Sequence, residues 1–290
     1  MRDFEFVEPA SVSEVCSLLA EDPEGSAVFA GGTDILVDLK AGSKHHRRLV
    51  SLGRIEELKT VDLDAEGRLC IGAMATVNMI ARHPEIAKRY PGINDAAMSL
   101  AAEQVRNQAT VAGNLCMAVP SADMAPILVA HDAALRVVSP TGERVIALRD
   151  FFVGPRETVL DPVDVVVAIE VPAPAPGTGD ASLRQGGRVS LSLPMAAVAA
   201  VVVMEGRLCR RATVALGAVA PTPIVATAAG QAVAGRELTE ELLAEAGERA
   251  AEAAMPIDEL RASKEYRLEL VKVLTRRVLR AAAERAQEKC

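Results

Sequence analysis

Ala27-Val28-Phe29-Ala30-Gly31-Gly32-Thr33-Asp34-Ile35-Leu36 changes character in its middle. Ala27 to Ala30 is a short apolar run with the pattern of a buried strand. Gly31-Gly32 then break it, Thr33 and Asp34 follow, and a second apolar segment runs from Ile35 to Leu39. Adjacent glycines permit positive φ and close approach of a ligand to the backbone. Successive N–H groups of such a turn can converge on a phosphate, with the Thr33 hydroxyl beside them. The spacing is neither Gly-x-Gly-x-x-Gly nor Gly-x-x-x-x-Gly-Lys-Ser/Thr, so the common dinucleotide and P-loop patterns do not apply. On these residues alone, a tight strand-to-helix turn without a ligand is the favoured reading.

Upstream, Ser11 or Ser13 is placed to cap a helix running through Leu19, with Val12, Val15 and Leu19 on one face. Downstream, Leu49 to Leu52 has a strand pattern and Arg54 to Leu58 a short helical one. Leu69 to Ile71 opens a second region, with helices expected from Thr76 toward Ala81 and from Pro91 to Ala102. Gln104-Val105-Arg106-Asn107-Gln108-Ala109 then leads into Thr110-Val111-Ala112-Gly113-Asn114, a second small-residue loop, followed by Pro120-Ser121-Ala122-Asp123. A carboxylate such as Asp123, just after a loop of this kind, suits a sugar or ribityl hydroxyl. Two such loops in one region fit a pyrophosphate gripped from two sides. Met124 to Ala130 is a plausible helix. Ala134–Ser139 and Glu143–Ala147, around Pro140-Thr141-Gly142, form a hairpin signal, and Asp164 to Val171 is a clear β run.

Pro172-Ala173-Pro174-Ala175-Pro176-Gly177-Thr178-Gly179 has linker composition and marks the best boundary. Beyond it lie two β runs, Met195–Met204 and Thr213–Ala218, and two helical regions, Glu240–Ala254 and Lys264–Gln287. The chain reads as α+β, without an evident repeat.

With 290 residues, half of them hydrophobic, the chain is long enough to bury a sizeable core. A net charge of −7 argues against nucleic-acid binding, which needs a basic footprint. Five Phe, two Tyr and no Trp mean an aliphatic core and few rings for a stacked ligand. The longest apolar run, Leu193 to Met204, is too short to span a membrane and contains Pro194. The acidic start Met1-Arg2-Asp3-Phe4-Glu5 does not match a signal peptide, so a cytoplasmic location is expected. Cys16, Cys70, Cys116, Cys209 and Cys290 are scattered and odd in number, arguing against disulfides or a metal cluster held by this chain. His45, His46, His83 and His131 are not at metal-ligand spacing and are expected at the surface. No Gly-x-Ser-x-Gly elbow exists. Phe151 and Phe152 are expected in the core.

Five motifs occur in order: Ala30 to Leu36; Gln104 to Asn114 with Asp123; Phe151-Phe152-x-Gly154 with Thr158-Val159-Leu160; Ala215-Leu216-Gly217-Ala218-Val219-Ala220-Pro221-Thr222-Pro223; and Arg261-Ala262-Ser263-Lys264-Glu265-Tyr266-Arg267. Together they resemble the FAD-binding medium subunit of the molybdenum hydroxylases, the xanthine dehydrogenase family, over nearly the whole chain. The last motif resembles the bacterial xanthine dehydrogenase branch.

The resemblance implies a PCMH-type FAD-binding domain over residues 1–175, in two α/β subdomains (about 1–58 and 59–175). A smaller C-terminal α/β domain is implied over 181–288. It implies that Val28 to Ile35 wraps the FAD pyrophosphate and adenosine side, and that Thr110 to Asn114 completes the grip. Asp123 falls on an acid for the FAD sugar or ribityl hydroxyls, Leu100 and Val166 on apolar positions near a ring, and Arg184 on a basic position that helps hold the flavin. No catalytic side chain and no metal ligand are assigned. The implied assembly is a dimer of heterotrimers. A large subunit holds molybdopterin-bound molybdenum, a small subunit holds two 2Fe–2S clusters, and NAD+ or another acceptor takes the electrons.

Three departures stand out. Val-Ala-Gly-Asn replaces a usual Gly-Gly pair, which fits only if Ala112 avoids positive φ. The segment Ser182 to Arg188 lacks an aromatic shield, and Ser192 stands where an Asp is common. Gly-Gly-Thr-Asp, rather than the Gly-Gly-His-Ser of many carbon monoxide dehydrogenases, favours a purine or other N-heterocycle as the complex's substrate. A self-sufficient flavin oxidoreductase of the same fold, acting directly on a small substrate, is the alternative.

Overall fold

The computed structural model describes residues 3–188 and 190–288; Cys290 lies outside them. The first unit is β1 (Glu5–Val7), α1 (Val12–Glu21), β2 (Ser26–Phe29), α2 (Ile35–Ala41) and β3 (Arg48–Ser51). Its strands form a parallel sheet in the order β1-β3-β2. Ser11, of the two serines, is the cap of α1: its Oγ accepts from Glu14 N at 3.3 Å. The strand expected to be buried at Ala27–Ala30 is instead half-exposed. Its place at the sheet edge explains this, because β3 takes the centre and leaves one flank of β2 uncovered.

The second unit is built on the antiparallel sheet β4-β5-β10-β6-β7. Its strands are β4 (Val61–Leu63), β5 (Leu69–Gly72), β6 (Ala134–Ser139), β7 (Gly142–Ala147) and β10 (Val165–Val171). Between β7 and β10, β8 (Phe152–Gly154) and β9 (Glu157–Thr158) pair with each other. Between β5 and β6 runs a helical stretch: α3 (Val77–Ala81), α4 (Pro84–Arg89), α5 (Pro91–Ser99), α6 (Glu103–Arg106), α7 (Val111–Cys116) and α8 (Ala125–Ala130). The helix expected over Pro91–Ala102 stops at Ser99. Ala101 has φ +45°, and Arg106 Nη1 donates to the carbonyls of Met98 and Leu100, so a side chain satisfies the helix end. The small-residue segment Thr110–Asn114 is helical rather than a loop, because the Thr110 hydroxyl accepts from Gly113 N at 3.0 Å and starts α7.

The third unit comprises β11 (Thr178–Gly186), β12 (Pro194–Glu205), β13 (Leu208–Gly217), β14 (Ile224–Val225), α9 (Thr227–Val233), β15 (Arg236–Glu237), α10 (Glu240–Ala253) and α11 (Lys264–Glu288). The sheet order is β11-β12-β13-β14, with β15 also on β13. Thr178 and Gly179, read from sequence as linker, already belong to β11. Ala196, Val198, Ala200 and Val202 of β12 join the core under α10 and α11, while Ala199 and Val201 join the core of the second unit. Both faces of β12 are thus covered, which explains its unbroken apolar run. Alanine and glycine let the layers approach: a Cβ on Gly179 would overlap backbone of α11 at Ala282 and Ala286.

The seam between second and third units is polar at one point. Asp180 is fully buried; its Oδ2 accepts from Gly92 N at 3.0 Å and from His131 Nε2 at 2.9 Å. His131, expected at the surface, is therefore a buried partner, with its ring edge-on to Tyr90 at 5.5 Å. Arg285 of α11 completes the seam, bonding the Asp180 carbonyl and pairing with Asp95 at 2.6 Å. Removing the carboxylate with Asp180→Ala strands two buried donors, each costing about 1–3 kcal/mol. A loss of roughly 2–6 kcal/mol in denaturant unfolding is expected; an unchanged midpoint would show that the seam contributes nothing.

Candidate functional site

The β2 strand ends at Phe29 and the chain turns through Gly31-Gly32. A Cβ on Gly31 would overlap the Gln108 carbonyl, so the backbones of the first and second units meet here. Gly32 has φ +74°, a left-handed conformation suited to glycine, and sits over the Phe29 ring. Phe29 is in turn braced edge-on by Phe6, with ring centroids 5.3 Å apart. The carbonyl of Gly32 accepts from Leu36 N at 3.2 Å to begin α2. Among the described residues, the N–H groups of Gly31, Gly32, Thr33 and Asp34 enter none of the backbone hydrogen bonds of turns and caps. Such a row of donors is what an anion nest requires.

The second wall is pinned from behind. Val77 N donates to the Ala109 carbonyl at 2.8 Å and Val111 N to that of Ala75 at 3.2 Å, so the starts of α3 and α7 lie side by side. Thr76 and Thr110 cap the two helices in the same way. Ala112 lies within α7 and is not among the positive-φ residues, so its methyl group is accommodated. The Asn114 Oδ1 accepts from Met124 N at 3.2 Å, placing Asp123 near the end of α7.

Asp123 is met there by Arg184 of β11, Nη1 to Oδ1 at 2.7 Å, with each side chain 11 % exposed. Arg184 Nη2 also donates to the Ser192 carbonyl, and the Ser192 hydroxyl accepts from Gly187 N at 3.1 Å. Burial pushes the Asp123 carboxyl up to about 6, and Arg184 opposes that rise. One oxygen of Asp123 is therefore committed to Arg184 rather than left to a sugar hydroxyl.

The structure thus brings Val28–Ile35, Thr110–Asn114, Asp123 and Arg184 into one connected series. Leu100 and Val166 are each only 6 % exposed and lie within the core, so each offers a ligand little surface. Two residues were missed in the sequence. Gln108 supplies the carbonyl against Gly31. Arg156 has φ +63°, pairs with Asp38 of α2 at 2.9 Å, and donates its N–H to the Ala118 carbonyl at 2.8 Å, tying α2 to the segment after α7. A polar residue after Gly154-Pro155 was the only local sign of that turn.

A separate cleft of about 650 Å³ lies between α1 and strands β5, β6 and β10, lined in part by Cys16, Cys70 and Arg136. It includes none of the expected site residues. Burial raises both of its thiols, which makes them poor nucleophiles. Among the described residues, no group of three or more His, Cys, Asp or Glu side chains is placed to hold a metal, and no helix is long and apolar enough to cross a membrane.

A glycine-only backbone approach and a row of uncommitted N–H donors fit an anionic group such as a pyrophosphate. Known proteins agree on the class. Residues 2–174 match the FAD binding domain in molybdopterin dehydrogenase, and residues 181–282 match the CO dehydrogenase flavoprotein C-terminal domain. The chain belongs to the FAD-binding subunits of the xanthine dehydrogenase and CO dehydrogenase family, a family of oxidoreductases. It is 31% identical to the putative xanthine dehydrogenase FAD-binding subunit XdhB of Escherichia coli (strain K12), over 94% of both chains. It is 30% identical to the carbon monoxide dehydrogenase medium chain of Afipia carboxidovorans, over 98% of both. Among solved structures, carbon monoxide dehydrogenase from Hydrogenophaga pseudoflava matches with a TM-score of 0.94 at 30% identity, covering 98% of both chains. Quinoline 2-oxidoreductase from Pseudomonas putida 86 matches with a TM-score of 0.92 at 31% identity, again covering 98% of both.

The Gly31–Gln108 contact yields a direct test. Gly31→Ala forces the two walls apart and is expected to weaken FAD binding at least about tenfold, or roughly 1.4 kcal/mol. Flavin fluorescence titration reads this out, and wild-type affinity in the variant would show that the contact does not shape the site.

Proposed function

We propose that this chain is the FAD-carrying electron-transfer subunit of a heteromeric molybdenum hydroxylase. The observation that carries the proposal is the convergence of the loop after β2 and the turn between α6 and α7 at Gly31 and Gln108, with the Asp123–Arg184 pair beside the far end of α7. FAD, when bound, would supply the redox chemistry between 2Fe–2S clusters of a small partner and NAD+ or another acceptor. The protein's own part is binding and orientation. The N–H groups of Gly31 to Asp34 hold the pyrophosphate, and Thr110 to Asn114 close its other side. Arg184 places a cation toward the flavin end, and Arg156 with Asp38 keeps α2 against the second unit. No side chain is assigned an acid or base role toward a substrate, which suits electron transfer better than direct turnover of a substrate.

In this reading hydroxylation occurs at molybdopterin-bound molybdenum on a large partner, and two heterotrimers form the complete assembly. Gly-Gly-Thr-Asp in the first loop and the likeness to a xanthine dehydrogenase FAD-binding subunit support a purine or other N-heterocycle as substrate.

Affinity capture of the chain from its native host, with a visible spectrum of the eluate, tests this. Two co-purifying chains with flavin and iron–sulfur absorbance are expected. A lone yellow protein that turns over a substrate by itself would move the chemistry onto this chain and end the subunit reading.

A further inference from the structure

Asp123 and Arg184 form an ion pair between parts of the chain 61 residues apart in sequence, within the flavin cleft proposed above. Arg184 has two fixed acceptors, the Asp123 carboxylate and the Ser192 carbonyl, so its position is set by the protein rather than by a ligand. Asp123 is fixed from its other side, because the neighbouring Met124 N–H is held by Asn114. The cation and its counter-ion thus sit together, each side chain 11 % exposed, beside the Asn114 end of α7. Arg184 is the charged group that acts on Asp123.

We infer that Asp123 is a proton-holding residue that keeps the charge of this cleft constant when the flavin is reduced. The inference rests on the placement of the flavin beside this pair. A flavin that gains two electrons and one proton gains one net negative charge. That charge, beside Asp123, disfavours a second negative charge on its carboxylate. Asp123 then takes one proton from solvent, and Arg184, released from its counter-ion, faces the new charge. Two electrons and two protons enter together, one proton to the ring and one to Asp123.

The sign follows from the starting state. The Asp123 carboxyl, already pushed up to about 6 by burial, is ionised above that pH in the oxidised protein. Proton uptake at Asp123 therefore occurs above about pH 6 and ends where its carboxyl stays ionised even beside the reduced ring.

A spectroelectrochemical titration of the FAD-loaded full chain from pH 5 to pH 9 tests this, with the potential set by an electrode. Above pH 6 the wild type is expected to take up about one proton more per two electrons than Asp123→Asn. Its midpoint potential then falls more steeply, by about 30 mV per pH unit, the two-electron equivalent of a tenfold change. Identical slopes in the two proteins overturn the inference. Arg184→Gln keeps the question open to test should Asp123→Asn fail to fold. Without the cation that opposes burial, Asp123 holds its proton to higher pH, so the steep region is expected to shift upward. An unshifted region overturns the inference as well. A wild-type chain that binds no flavin overturns the cofactor site itself, and the inference with it.

Discussion

The contact of Gly31 with the Gln108 carbonyl is the constraint on which the cleft depends. It joins the loop after β2 to the segment before α7, and so sets how a parallel sheet and an antiparallel sheet face each other. Any side chain at Gly31 would hold the two walls apart. Once they touch, the loop that carries the uncommitted N–H groups of Gly31 to Asp34 lies against the Gln108–Ala109 backbone just before α7. Phe29 and Phe6 support the turn from below, two of only seven aromatic residues in the chain.

Charge follows the same geometry. Arg156 pairs with Asp38 where the first unit meets the second, and Arg184 pairs with Asp123 where the third unit meets the second. In each pair, cation and anion come from different units, so each pair also fixes an orientation. The Asp123 pair is far more buried than the 48 % exposed Arg156, so it is less screened by solvent. The chemistry is concentrated where desolvation makes a single charge matter most.

Much of this was legible in the sequence, for a physical reason. Gly31-Gly32 has no substitute where backbones must touch, and amphipathic α10 and α11 announce themselves by period. Other features were not legible because their cause is tertiary. In β11, Gly179 admits α11 yet has the composition of the linker before it, and Asp180, which bonds Gly92 and His131, carries no local mark of burial. His131 carries no local mark of burial, and β2 reads as buried because its sequence does not reveal its edge position. The pairing of Asp123 with Arg184 depends on β11 packing against α5, which no spacing encodes.

Strand β11 ties the third unit to the second at two points, Asp180 and Arg184. Side chains alternate along a strand, so Asp180 and Arg184 share one face while Gly179 and Ala181 turn to the other. Ala181 and Gly179 meet the layer beneath α11. On the opposite face, Asp180 locks the seam at His131, and Arg184, about 13 Å further along, reaches Asp123. A slip of one residue would put both charged side chains under α11 and turn the apolar face toward the cleft. The buried seam therefore holds the register of the strand that carries the cleft's cation, and stability of the fold and placement of charge at the site are the same requirement.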